Sequence, residues 1–225
     1  MVRSKPFGGI LMNGNITCCI HFLGIMILLT ACSNAGVTPT STPPTAMDFQ
    51  IGDGGLLSGY PCGPPCFLGV RPDVTDYDEV IGILSENHDL NYCKEFDNSQ
   101  EGGSRGIYCA DSYLIGFDRA RTVVTHLGFT PSMEITLQEV VEIYGDPSRI
   151  SVSTGGYAKT VSKARVFYPQ YTMSILLEEQ DGDMYLVQPS SKVDTIGYEG
   201  ESSFQKSIEG TQKWSGYGEY FMQYR

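Results

Sequence analysis

Four cysteines invite the first chemical reading of this 225-residue chain: Cys62 and Cys66 in Pro61-Cys-Gly-Pro-Pro-Cys-Phe67, and Cys93 and Cys109, sixteen positions apart. Closely spaced thiols exchange disulfides when a positive local potential lowers the pKa of one of them. Four thiolates hold zinc when they come as two tight knuckles. Here three residues rather than two separate the first pair, and the second pair forms no knuckle. A structural disulfide framework is therefore expected, with three connectivities open. Cys93 and Cys109 flank a Gly-rich stretch and are favoured to join its two arms, which leaves Cys62 with Cys66 to pin the start of the folded part.

Other chemistry is weakly written. The three histidines, His21, His88 and His126, are isolated in sequence. Glu178, Glu179, Asp181 and Asp183 cluster at a turn, without the spacing of a twelve-residue calcium loop. Carboxylates are abundant, but none is singled out as a hydrolytic pair. No catalytic residue, metal or other cofactor is expected. Trp214, Tyr217 and Tyr220 are the candidate binding residues, because aromatic faces stack sugars and anchor partner proteins. The competing role for them is packing over an open end of a sheet.

These residues must be held by elements with two periodicities. Leu68-Gly69-Val70-Arg71-Pro72 leads into Glu79-Val80-Ile81-Gly82-Ile83, and Leu127-Gly128-Phe129-Thr130-Pro131 leads into Glu139-Val140-Val141-Glu142-Ile143. Such self-similarity predicts a duplication. Asp76 with Glu79, and Thr136 with Glu139, are capping-box pairs that each start a short helix. Val80, Ile83 and Leu84, then Val140, Val141 and Tyr144, share one helical face. Gly145 and Pro147 stop the second helix.

Strand-like runs follow each helix: 107–110, 113–117 and 122–129 after the first, then 150–153, 163–168, 172–178, 184–187 and 193–198 after the second. Asp181-Gly182 reads as a hairpin turn. The predicted fold is α+β, two tandem repeats of a short helix on an antiparallel meander, spanning 50–127 and 128–225.

The N-terminus carries Arg3 and Lys5, then an apolar run from Ile16 to Leu29. That run suits an export signal, and at about fourteen residues it is short of the roughly twenty a spanning helix needs. It ends in Leu29-Thr30-Ala31-Cys32, which resembles the lipobox of bacterial lipoproteins. The resemblance implies cleavage between Ala31 and Cys32, acylation of Cys32, and a membrane partner reached through that lipid. Residues 1–31 are then the signal, and 32–49 a Thr/Pro-rich linker that stands the domain off the bilayer.

Loss of the signal leaves 13 basic against 26 acidic residues, a charge of about −13 that excludes nucleic acid as a natural partner. A helix bearing E-V-x-x-I-x-G-x-P, as at Ile143, Gly145 and Pro147, resembles the SmpA/OmlA lipoproteins and the β-lactamase inhibitor protein family. Those groups are built from tandem α+β repeats, and the likeness implies that build. Ser85 and Asn87 depart from the pattern in the first copy. The Cys62 segment also resembles the thioredoxin loop, but its extra residue and the lack of a preceding βαβ unit set it apart.

The expected protein is a lipid-anchored envelope protein facing the extracytoplasmic side, a non-enzymatic module that binds or scaffolds another envelope protein. A small-molecule or glycan binder is the alternative, and an envelope hydrolase or redox protein a distant third.

Overall fold

The computed structural model describes residues 51–87, 92–98, 105–109, 112–155, 161–182 and 184–221. Ala31, Cys32, the linker, His21, His88 and Asp183 lie outside the described residues. The elements are, in chain order, α1 (Tyr77–Asn87), β1 (Cys93–Asp97), β2 (Arg105–Cys109), β3 (Tyr113–Phe117), β4 (Val124–Phe129), α2 (Leu137–Tyr144), β5 (Arg149–Gly155), β6 (Val161–Tyr168), β7 (Met173–Leu177), β8 (Gln180–Asp181), β9 (Met184–Val187), β10 (Val193–Glu199), α3 (Glu201–Ile208), β11 (Gln212–Lys213) and β12 (Gly218–Phe221).

Both early helices start where their caps are written. Asp76 Oδ1 accepts the Glu79 amide at 2.8 Å, and Glu79 Oε2 accepts the Asp76 amide at 3.2 Å. In α2 the Thr136 amide donates to Glu139 Oε2 at 2.8 Å and the Glu139 amide to Thr136 Oγ1 at 3.4 Å, which satisfies two otherwise orphaned donors. Gly145, at φ 76°, ends α2. Val80, Leu84, Leu137 and Val140 are buried, and Ile143 on the far side of α2 is 51% exposed.

Nine strands hydrogen-bond in the order β1-β2-β3-β4-β10-β7-β6-β5-β11, and β8 adds to β6 to make ten. All the pairings are antiparallel. The fold is therefore α+β, as the patterning predicts. β4 bonds to β10, so 50–127 and 128–225 contribute to one continuous sheet, and the expected division at 127/128 falls inside β4.

Two neighbouring cross-strand rows show how the sheet sorts its residues, because directly opposed residues project to the same face and consecutive ones to opposite faces. One row reads Cys93, Cys109, Tyr113, Phe129, Ile196, Ile175, Val166, Ile150 from β1 to β5. From Cys109 onward it is buried, in the same apolar cluster as Val80 and Leu84 of α1 and Leu137 and Val140 of α2. The adjacent row reads Lys94, Tyr108, Leu114, Gly128, Gly197, Ser174, Phe167, Arg149, and it faces the other side of the sheet.

α3 covers part of that second side. Phe204 sets its ring edge-on to Phe167, 6.1 Å between centroids, and its burial contributes about 2 kcal/mol. The helix has no cap of its own at Gly200. Asp73, 128 residues earlier than Glu201, accepts the Glu201 amide at 2.8 Å instead.

Three expectations change. The strands on either side of Asp181-Gly182 do not form a hairpin: β8 pairs with β6 and β9 with β12, because both edges of β7 are already taken by β6 and β10. The two L-G-x-x-P stretches adopt different backbones. Leu68 and Gly69 form a tight turn at φ 54° and 86°, whereas Leu127 and Gly128 lie within β4. Finally β1, β8, α3, β11 and β12 are absent from the predicted runs. Their sequences, such as Cys-Lys-Glu-Phe-Asp, carry too little apolar periodicity to announce an element.

Candidate docking face

The cysteines form the disulfides Cys62–Cys66 and Cys93–Cys109. Cys93 and Cys109 are direct cross-strand partners, so their bond staples the outer strand β1 to β2. Cys66 is buried, and the next residue, Phe67, stacks on Phe129 at 4.2 Å between centroids, which ties the start of the folded chain to β4.

The aromatic trio is brought together, but inward. Trp214 is 8% exposed and stacks on Tyr220 at 5.7 Å, with Tyr217 edge-on at 5.9 Å. The Tyr220 hydroxyl donates to the Gly216 carbonyl at 2.7 Å and accepts from the Ser215 amide at 2.9 Å. Trp214 and Tyr220 belong to the main apolar cluster, and only Tyr217, at 41%, reaches the surface substantially.

The feature the sequence did not announce is on the opposite side of the sheet. Between α3 and β4 lies an open cavity of about 400 Å³, floored by Gly128, Gly197 and Ser174 and walled by His126, Leu176, Thr195, Arg165, Glu199 and Ser203. Its residues come from three successive rows. His126 opposes Glu199, Gly128 opposes Gly197 and then Ser174, and Thr195 opposes Leu176 and then Arg165. The cavity is thus a trough with His126 and Glu199 at one end and Arg165 at the other. The run along β10 from Glu199 to Thr195 alone is about 13 Å at strand rise.

The charged groups in the trough differ in their ties. Glu199 accepts the Ser207 hydroxyl at 2.7 Å from α3. Arg165 has no ion-pair or hydrogen-bond partner among the described residues. The His126 imidazole folds over Gly116, where any Cβ would overlap it, and its Nδ1 lies 3.3 Å from Thr125 Oγ1. Burial holds the His126 pKa below its ordinary value of 6.5, and the Glu199 carboxylate partly opposes that shift.

The glycines are the most telling part of the geometry. Phe96 lies over Gly106 and His126 over Gly116, so those two positions are small because aromatic rings occupy the space above them. At Gly197 a Cβ would press on Ser174 Oγ at 2.9 Å. At Gly128 a Cβ would meet no atom within 4 Å, and the residue is not at positive φ. Nothing in the packing of the described residues requires glycine there. A glycine inside a strand costs stability, and its common reasons are a bulge or the close approach of a ligand or another backbone.

The acidic turn is partly tied down. Glu179 pairs with Lys163, and the Glu178 amide donates to the Lys192 carbonyl at 3.0 Å. Among the described residues, no group of three or more His, Cys, Asp or Glu is placed to hold a metal ion, and no helix is long and apolar enough to cross a membrane. Compared with models of known protein families, with curated proteins and with solved structures, the chain matches none.

Proposed function

We propose that this is an exported, lipid-anchored envelope protein whose folded part is a non-enzymatic docking module, and that the docking surface is the sheet face opposite α1 and α2. The single observation that carries it is Gly128, a strand glycine over open space at the centre of the trough. Around it the face offers Leu114, Leu176 and Tyr108 between polar groups, the mixture of apolar and polar contacts found at transient interfaces.

The build is proposed to be a duplication, with α1 and β1–β4 as one unit and α2, β5–β7 and β10 as the other. The shared order of one helix followed by an antiparallel meander supports it, as does the meeting of the last strands, β4 and β10, at the centre of the sheet. Anchoring is proposed through Cys32. A Cys32→Ala variant is expected to lose acyl labelling and membrane partitioning, and retention of both contradicts the anchor.

Site-specific photo-crosslinking in the native envelope tests the docking surface. A benzophenone residue in place of Leu114, on the proposed face, is expected to give one discrete protein adduct. The same group in place of Ile143, exposed on α2, is expected to give none. Identical adducts from both positions, or none from Leu114, would overturn the proposal.

A further inference from the structure

The occupant's chemistry follows from the charge of the face, and this step rests on the docking surface just proposed. We infer that the segment received there is an extended, acidic stretch of a protein partner, with one of its carboxylates on Arg165. The whole chain carries 15 basic against 26 acidic residues. The register-paired residues that project from β1–β7 and β10 to the docking face run against that balance. Lys94, Arg149, Lys163 and Arg165 are basic, as is Lys213 of β11 opposite Arg149, while Glu199 and, on β8, Asp181 opposite Val161 are acidic. An acidic protein that concentrates cations on one sheet face presents a local field opposite to its net charge, which attracts negative ligands.

Within that group Arg165 is the member that lines the trough. Lys163 is paired with Glu179, and Arg149 Nη1 donates to the Thr211 carbonyl at 2.9 Å. Arg165 has no such tie among the described residues and stands at the wall of the trough, where its planar guanidinium can take a carboxylate through two N–H donors. Glu199, engaged by Ser207, marks the opposite end and disfavours a second carboxylate there. The floor of Gly128 and Gly197 lets a peptide backbone come close to the sheet, and the trough has room for about four extended residues at strand rise. A compact inorganic anion would leave most of it unfilled.

The test is fluorescence anisotropy of the full-length mature protein in detergent with labelled decaglutamate, decalysine and oligothymidylate at low salt. Saturable binding of decaglutamate alone is expected, despite the protein's net negative charge. Arg165→Glu and Gly128→Phe should each weaken it by about tenfold or more, the first by charge reversal and the second by filling the floor. Both positions are exposed or open, so thermal melts should report folded variants. Preference for decalysine, indifference to either variant, or equal variant-sensitive binding of oligothymidylate would overturn the acidic-peptide assignment. If decaglutamate fails while the Leu114 cross-link still forms, the surface stands and its acidic occupant falls. If both fail, the surface falls as well.

Discussion

Gly128 on β4 and Gly197 on β10 stand directly opposite one another across the central antiparallel pair, yet a side chain at the first would enter open space and at the second would press on Ser174. The same face hides two other glycines, Gly106 under Phe96 and Gly116 under His126. One position in this group is therefore small with no steric reason among the described residues.

Substitution separates the two kinds of glycine. Gly128→Val is expected to raise stability by about 0.5 to 1 kcal/mol, because it removes the entropic cost of a strand glycine and adds a β-branched residue at no steric expense. Gly116→Val should lower it by about 1 to 3 kcal/mol, since the His126 ring must leave its place. Urea midpoints of the two variants against the parent check the opposite signs.

Asp53 organises the turn that begins the described chain. Its carboxylate accepts the amides of Gly55 at 3.1 Å and Leu57 at 2.8 Å, and the Ser58 hydroxyl at 3.0 Å. Burial alone would raise its pKa. The bonds from Ser58, Gly55 and Leu57 together outweigh burial and hold it below the ordinary 3.8. Asp53→Ala should cost about 2 to 3 kcal/mol in chemical denaturation. It should also free the buried Leu56, whose carbonyl accepts the Tyr144 hydroxyl.

Tyr198 is fully buried at the end of β10, and its hydroxyl has no protein partner among the described residues. Burial drives its pKa far upward. Tyr198→Phe removes an unsatisfied polar group while keeping the ring that packs near Phe129, so stability should rise by up to about 1 kcal/mol. A loss of more than that would show that the hydroxyl is satisfied by interior water.

Acid should weaken the fold through His126 before the carboxylates titrate. Its folded pKa is lowered by burial, so its contribution is complete above the unfolded value of 6.5 and is lost as pH falls from there through the lowered value. Asp53, also lowered but from 3.8, keeps its contribution until far more acid conditions. The urea midpoint should start to decline as pH falls below the ordinary histidine value of 6.5, and His126→Gln should flatten that decline.

The sequence made some of this visible and hid the rest for physical reasons. Capping pairs at Asp76 and Thr136 are local hydrogen-bond chemistry, so both helices were legible, and β3 and β9 announced themselves through apolar residues within four or five positions. The pairing of Cys93 with Cys109 was favoured from a Gly-rich stretch that brings two arms together. The trough was not legible. Gly128, Gly197 and Arg165 come from β4, β10 and β6, and only strand order and register make them neighbours. α3 escaped notice because its cap, Asp73, is remote and its one buried residue is Phe204. Trp214 could be read either way from composition, since aromatic enrichment marks packing as readily as binding, and it packs in the main apolar cluster.

Partner capture by Gly128→Phe, with the benzophenone group at Leu114, tests the docking surface most directly. The account predicts a protein that melts no lower than the parent and forms no adduct, because the added ring fills the trough without touching the fold. A folded Gly128→Phe protein that still forms the parent adduct in full yield would contradict it.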